Sequence, residues 1–486
     1  MPKLYEINTE VFLNQLGNNT RLSSIPKIFF KNLADKGITA VWLMGMWKTS
    51  NNLVEKYCFT PDLISEYDRA MPGWKKEDIT GSPYAIEEYS VNPDFGSRED
   101  LISLHEYLNS IGLKLFLDFI PNHFGADTKY LKENPEYFIC GDQSRLSADS
   151  STFYKSPYDD SKIFAHGKDP FFPAWKDTSQ INYFEPAART FMINNLLNVA
   201  GLCDGVRCDM AMLVLNHVFE NNWGNTVPHQ NNFSNLPEFW SEAITKVKNK
   251  FPDFIFLAES YWDLEWQLQQ LGFDYTYDKR LTDRLASNNI DSIKSHLMAD
   301  KSFSQKSMRF LENHDEPRAV VKFGIDRSLA AAVITGTIEG MKFYFDGQFE
   351  GSSIKLPVQL KRKPIEPVNQ KVKNYYDKIL SATKEKIFIE GSWKMLNPIS
   401  AGGNDQSFKN IFAWQWKLNN QISIVAVNYS DSVSYCRLKF DIPAEKSEIK
   451  LVDMITDTAY MRSISEIYTQ GLFIELQGFQ SHIFSL

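Results

Sequence analysis

Short apolar runs alternate with stretches of helical period over most of this chain. The runs are Lys3–Asn8, Thr39–Gly45, LFLDFIPNH (Leu115–His123), DGVRCD (Asp204–Asp209), FIFLAES (Phe254–Ser260), Phe273–Tyr277, Met308–Glu312 and Met341–Phe345. Each is brief and bounded by turn residues, as expected of a strand buried on both faces. Between them lie helical patterns at Ile25–Lys36, Glu99–Ile111, Ala187–Ala200 and Pro237–Lys250, with Gly37, Gly112 and Gly201 as stops. Eight strands alternating with helices predict an α/β fold of the (β/α)₈ TIM-barrel kind, since an open sheet more often stops near six.

Two departures from strict alternation divide the chain. Residues 124–185 are rich in Pro, Gly, Asp, Ser and aromatics. A structureless loop of that length is improbable, so a small inserted domain is expected after the third strand. From about residue 391 the pattern switches to period two, with Ile411–Lys417, Ile422–Tyr429, Ser434–Phe440 and Gly471–Leu476 separated by Asn, Asp, Ser and Gly. That predicts a C-terminal antiparallel β-sandwich over 391–486, leaving 1–123 and 186–390 to the barrel.

Composition narrows the function. A net charge of −8 and a pI near 5.6 argue against nucleic acid, which needs a basic face. No apolar run approaches the roughly 18 residues of a membrane helix; the longest, near Leu329–Thr337, is Ala-rich and broken by polar residues. MPKLYEINTEVF lacks the pattern of a secretory signal, and the five cysteines form no CxxC pair. A reduced, cytoplasmic setting is therefore expected, although a trimmed secreted form would read the same. Aromatics at 14% suit a cleft that stacks sugar rings, and equally suit large aromatic cores.

Four of the strands end on a carboxylate with polar neighbours: Asp118, Asp209, Glu259 and Asp315. In a barrel all strand ends open onto one face, where chemistry is done. These segments resemble the α-amylase family (glycoside hydrolase family 13). DFIPNH (Asp118–His123), GVRCD (Gly205–Asp209), the Glu259 of LAES and NHD (Asn313–Asp315) match its four motifs in order. The likeness extends to Ser82–Gly96 and Trp175–Pro186.

The resemblance implies a retaining α-glycoside hydrolase acting on α-1,4-glucans or malto-oligosaccharides. In such chemistry one carboxylate attacks the anomeric carbon while another holds a proton for the leaving oxygen. By resemblance, Asp209 is the nucleophile, Glu259 the acid and later the base, and Asp315 the carboxylate that holds sugar hydroxyls. Arg207, two positions before Asp209 on one strand, faces the same way and is expected to keep Asp209 ionised. Asp209 and Asp315 are expected to raise the pKa of Glu259. Tyr84, His123 and His314 match sugar-binding positions, and Asp118 and Asn122 match structural supports. Cys208 is expected to point away by strand alternation, and His105, His229 and His296 read as ordinary packing residues.

The pattern also breaks. Met212 and Leu213 stand where many relatives carry Lys-His, and Ala85 stands where the exo-acting α-glucosidase branch often carries Asp. An α-glucanotransferase or sucrose-type transglycosylase, or an exo-acting α-glucosidase, therefore remains an alternative. Asn122 matches a calcium ligand of many relatives, while FLNQLGNN (Phe12–Asn19) lacks the Asp-rich metal loop of others. No cofactor is expected to be needed for the chemistry. A structural calcium between barrel and insert is conceivable on Asn122 alone, though about six oxygens are required.

Overall fold

Most of the inward-facing alternate side chains of the eight core strands are apolar and pack together inside the barrel. A computed structural model of the chain describes residues 1–17, 20–226, 233, 236–440, 442 and 447–486, so His229, Asn18 and Asn19 lie outside the described residues. The barrel strands are β1 (Lys3–Asn8), β2 (Ala40–Met44), β3 (Lys114–Phe119), β4 (Gly205–Cys208), β5 (Ile255–Ala258), β6 (Tyr275–Tyr277), β7 (Ser307–Arg309) and β8 (Met341–Phe345). All are parallel, neighbours in sequence are neighbours in space, and β8 closes on β1. The fold predicted from the pattern of runs is the fold observed.

Alternation sorts the side chains into two layers. Leu4, Trp42, Phe116, Leu257, Tyr277 and Phe343 pack inside the barrel. Val41, Leu115, Val206 and Phe256 face outward to the helices, and Cys208 joins them, as expected. At Glu6, Asp118 and Arg207 buried charged residues replace the apolar ones. β3 and β4 set Asp118 opposite Arg207, and β1 and β2 set Glu6 opposite Trp42.

The helices follow local rules. In α1 (Arg98–Ser110) Ser97 caps the amide of Asp100 and the Asp100 carboxylate accepts from the Ser97 N–H, closing both ends of a capping box. Its buried stripe is Leu101, Leu104 and Leu108, and Gly112 follows at φ +80° to turn the chain into β3. The Ala-rich run becomes α2 (Ile325–Thr337), buried at every position from Ser328 to Thr337. Helix Gln370–Ala382 and the C-terminal sheet cover it, so it needs no polar face.

The segment after β3 forms two small sheets. Thr178–Gln180 pairs antiparallel with His123–Gly125, and Cys140–Gly141, Ile163–Ala165 and Phe153–Lys155 form the other. The C-terminal region is a six-stranded antiparallel sheet facing a two-stranded ribbon. Ile411, Ala413 and Ile424 pack against Cys436, Leu438 and Ile474 of the ribbon. The alternate residues Phe412, Trp414, Trp416 and Val425 join the barrel core, with Trp416 Nε1 donating to the Thr337 carbonyl at 2.7 Å. Both faces of the sheet's central strands are thus buried.

Several elements go beyond the sequence reading. Strands Ser392–Leu396, Glu448–Asp453, Ala459–Ser463 and Ser481–Ser485 complete the six-stranded sheet. The first and third are largely exposed, at or near the sheet's edges, and carry little apolar pattern. The loop after β2 holds two helices, Asn51–Tyr57 and Pro61–Ala70. Of the seventh predicted strand only Ser307–Arg309 pairs; Phe310–Glu312 runs on as an unpaired segment into the site. Among the described residues, no helix is long and apolar enough to cross a membrane.

Candidate active site

The carboxylates at the strand ends are fixed first by backbone. The ladder between strands continues one residue beyond them: Asp209 N–H donates to the Phe119 carbonyl at 2.8 Å, and Glu259 N–H to the Cys208 carbonyl at 3.0 Å. Met210 then turns with φ +40°, a left-handed conformation unusual for a branchless but bulky residue. The turn aims its N–H at Glu259 Oε2, 2.7 Å away.

One buried guanidinium joins these groups. Arg207 is 1% exposed, its Nη1 lying 2.5 Å from Asp209 Oδ1 and its Nη2 2.7 Å from Glu259 Oε2. Nη1 also lies 3.7 Å from Asp118 Oδ1. The rings of Trp42 and Tyr84 flank its carbon at 5.2 and 5.1 Å, adding cation–π attraction in a dry setting. Asp118 is held in turn by the Gly45 N–H at 2.8 Å, and its backbone carbonyl accepts from Trp47 Nε1. The structure therefore brings Asp118, Arg207, Asp209 and Glu259 into one cluster.

Asp315 belongs to a second relay. Its Oδ2 lies 3.0 Å from His314 Nε2, whose ring is bound on the far side by buried Glu6 at 2.5 Å. Tyr84 OH sits 2.9 Å from His314 Nε2, and the two rings stack at 24°. Asn313 Oδ1 accepts from the amides of Asp315 and Glu316, shaping the turn that presents the carboxylate. The Asp315 side chain is half exposed at the mouth of the cleft, whereas Asp209 and Glu259 lie beneath it.

Electrostatics separates the carboxyls. Burial is the largest influence on Glu259; with Asp209 and Asp315 nearby it pushes the group up to about 6, although Arg207 pulls it down. Burial raises Asp209 too, and Arg207 offsets only part of that. The expectation that Arg207 keeps Asp209 ionised is met only in part, because the cation is shared between two carboxyls and burial still raises Asp209. Asp118 is pushed up to about 7 by burial. Burial would raise Asp315 as well, but the His314 cation holds it down at about 2. His314 is raised well above the usual histidine range, since Asp315 and Glu6 outweigh its burial. His123 is lowered to about 4 by burial and stays neutral.

The insert supplies the remaining wall. His123, Asp169, Trp175, Asp177 and Thr178 line a cavity of about 380 Å³ with Tyr84, Asp209, Glu259, His314 and Asp315. Asn122 faces away from it: Gln180 Nε2 donates to its backbone oxygen at 2.9 Å and to its Oδ1 at 3.0 Å, and the Ile181 N–H also donates to its backbone oxygen. An amide donor thus fills the position where a cation would need oxygen. Among the described residues, no group of three or more His, Cys, Asp or Glu side chains is arranged to hold a metal.

Three participants escaped the sequence reading. Glu6 backs His314, Tyr261 OH donates to Glu259 Oε1 at 2.9 Å, and Trp175 packs at 5.4 Å from the His123 ring. Glu6 carries a legible signal, a lone carboxylate at an inward position of an apolar strand. Tyr261 and Trp175 are set by loop paths and carry none. His105 and His296 bind Asp204 and Asp278 away from the cavity.

Comparison with known proteins gives the chain a family and a fold. Residues 30–420 match the family described as "Alpha amylase, catalytic domain". Alpha-amylase 3 of Dictyoglomus thermophilum is 22% identical over 362 residues, covering 69% of this chain and 60% of that protein. Alpha-amylase MalA of Haloarcula japonica is 24% identical over 355 residues, covering 71% of this chain and 43% of that protein. The chain thus spans only about half the length of those relatives. A crystal structure of a maltogenic alpha-amylase from Thermotoga neapolitana has the same fold, with a TM-score of 0.70 at 20% identity over 100% of this chain and 98% of that one.

The shared cation gives a direct test. Arg207→Ala leaves Asp118, Asp209 and Glu259 buried without their counter-charge, which costs about 3–5 kcal/mol of stability. The orphaned carboxyls then hold protons in the folded state that the unfolded chain releases, so the loss grows as pH rises from 5 to 8. Urea unfolding at several pH values reads both effects, and a pH-independent loss would contradict the arrangement.

Proposed function

This chain belongs to the α-amylase family, and on that premise we propose that it is a retaining α-glycoside hydrolase acting on α-1,4-glucans or malto-oligosaccharides. The observation that carries the proposal is the pair Asp209 and Glu259 gripped by opposite ends of one guanidinium beneath a third carboxylate, Asp315. Such cleavage needs one ionised and one protonated carboxyl flanking the anomeric carbon. Asp209 is the nucleophile: Arg207 donates to one of its oxygens and orients the other toward the ring. Glu259 is the acid. Arg207 ion-pairs with Oε2 and the Met210 amide donates to it, so the proton rides on Oε1, where the Tyr261 hydroxyl turns to accept it. It protonates the leaving oxygen as Asp209 attacks, and a covalent glycosyl-enzyme forms. Ionised Glu259 then takes a proton from water, which releases the sugar with its α configuration retained.

The remaining residues bind. Asp315, ionised by His314, accepts from sugar hydroxyls. Neutral His123 and the Tyr84 ring line the same glycone, and Asp118 and Asn122 support the frame. Oligo- or polysaccharide is the partner, and we read neither nucleic acid nor membrane into this site. No cofactor enters the mechanism, and the Gln180 amide performs the bridging between barrel and insert that calcium would serve.

Glucanotransfer is the second reading. Phe171 and Phe172, 68% and 69% exposed, and Trp262, edge-on to Phe171 at 5.0 Å, stand beside the Asp169 and Tyr261 edge of the cavity. An apolar platform there favours a sugar over water as the acceptor. With maltotriose, longer products outrunning glucose and maltose would decide for transfer.

Asp209→Asn and Glu259→Gln should each lower turnover by about a thousandfold or more while the fold stays intact by circular dichroism; activity within tenfold of wild type in either variant would refute the roles. Proton NMR of early product should show the α anomer. The acid must be protonated to act, so kcat/KM should fall as pH rises through about 6. Chelation with EDTA should leave activity and the melting temperature unchanged; a loss restored by calcium would refute the metal-free insert.

A further inference from the structure

The loops after β2 and β8 are joined into a wall on one side of the cavity. Thr80 N–H donates to the Gln359 carbonyl and Lys361 N–H to the Asp78 carbonyl, both at 3.0 Å, with Ile79 and Leu360 paired between them. Arg362 grips both oxygens of Asp78, at 2.5 and 2.6 Å. Thr80 Oγ1 ties the bridge down to Glu10, on the helix after β1, at 2.7 Å. Beneath it, Val54 and Tyr67 of the two helices after β2 share an apolar cluster with Ile79, Leu360 and Leu356. Ser82 and Gln359, at the inner edge of this wall, line the cavity beside Tyr84.

Barrel order fixes which side this is. The wall arches over the end of β1, and β5 lies four strands away in either direction around the closed ring. Glu259 follows β5 and delivers its proton to the leaving oxygen, so the leaving chain departs on the β5 side. The glycone must then point toward the wall. Among the described residues the β5 side shows no paired-backbone bridge of this kind, and carries the exposed rings of Phe171 and Phe172 beside Trp262. A cleft that cuts within a chain needs room for sugars on both sides of the bond.

We propose that the bridged loops 51–82 and 354–362 close the glycone end of the cleft, so that the enzyme takes glucans from their non-reducing ends. The inference rests on the glycosidase reading above and specifies its mode of attack. It differs from a reading based on Ala85, because the end of the chain is excluded by a wall between loops rather than held by a carboxylate beside Tyr84.

The test compares p-nitrophenyl maltoheptaoside with the same compound blocked by a 4,6-ethylidene group on its non-reducing sugar. Turnover of the blocked compound should be at least a hundredfold lower. Equal turnover of the two overturns the inference and leaves the glycosidase reading standing; cleavage of neither overturns both. Arg362→Ala, which lies outside the catalytic machinery, should raise the blocked-to-unblocked ratio at least fivefold. An unchanged ratio would overturn the part assigned to the bridge.

Discussion

A single buried cation organises the active face. Arg207 sits with three carboxyls around it and aromatic rings on its flanks, nearly out of reach of water. Taking so many charges out of solvent is expensive, and the arrangement holds only because each charge has partners in good geometry. The consequence is functional. Burial raises Glu259 and Asp118 while a separate His314–Glu6 relay keeps Asp315 ionised. What distinguishes Asp315 from the other carboxyls is that its cation is His314 rather than the shared Arg207.

The barrel supplies the rigidity that this cluster requires. Asp209 and Glu259 sit one residue past their strands, still within the ladder of backbone bonds, so their Cα positions are set by the sheet. The loops beyond do the differentiating. Met210 contributes an amide to one oxygen of Glu259 and Tyr261 a hydroxyl to the other. The insert is stitched to β3 through Gln180 and Asn122, which carries His123 and Trp175 to the cavity. Strand ends thus fix these carboxyls, and loops supply their surroundings.

The fold was legible because burial on both faces makes parallel strands continuous apolar runs, and eight such runs admit few architectures. The candidate catalytic residues were legible because each follows such a run. What failed to show were elements whose apolar residues are few or irregularly spaced, such as the edge strands of the C-terminal sheet and the helical pair after β2. Tyr261 and Trp175 were hidden for a different reason: a loop residue's neighbours depend on a path that no periodicity encodes.

The chain by itself determined the barrel, the alternation that puts Arg207 inward and Cys208 outward, and the identity of the carboxylates, since these depend on local period and on residue type. The tertiary structure alone decided that Arg207 is shared between Asp209 and Glu259, that Glu6 binds the far side of His314, and that the loops after β2 and β8 meet across β1. Those facts join residues tens to hundreds of positions apart, and long-range electrostatics and packing are set by closure of the barrel rather than by any stretch of sequence.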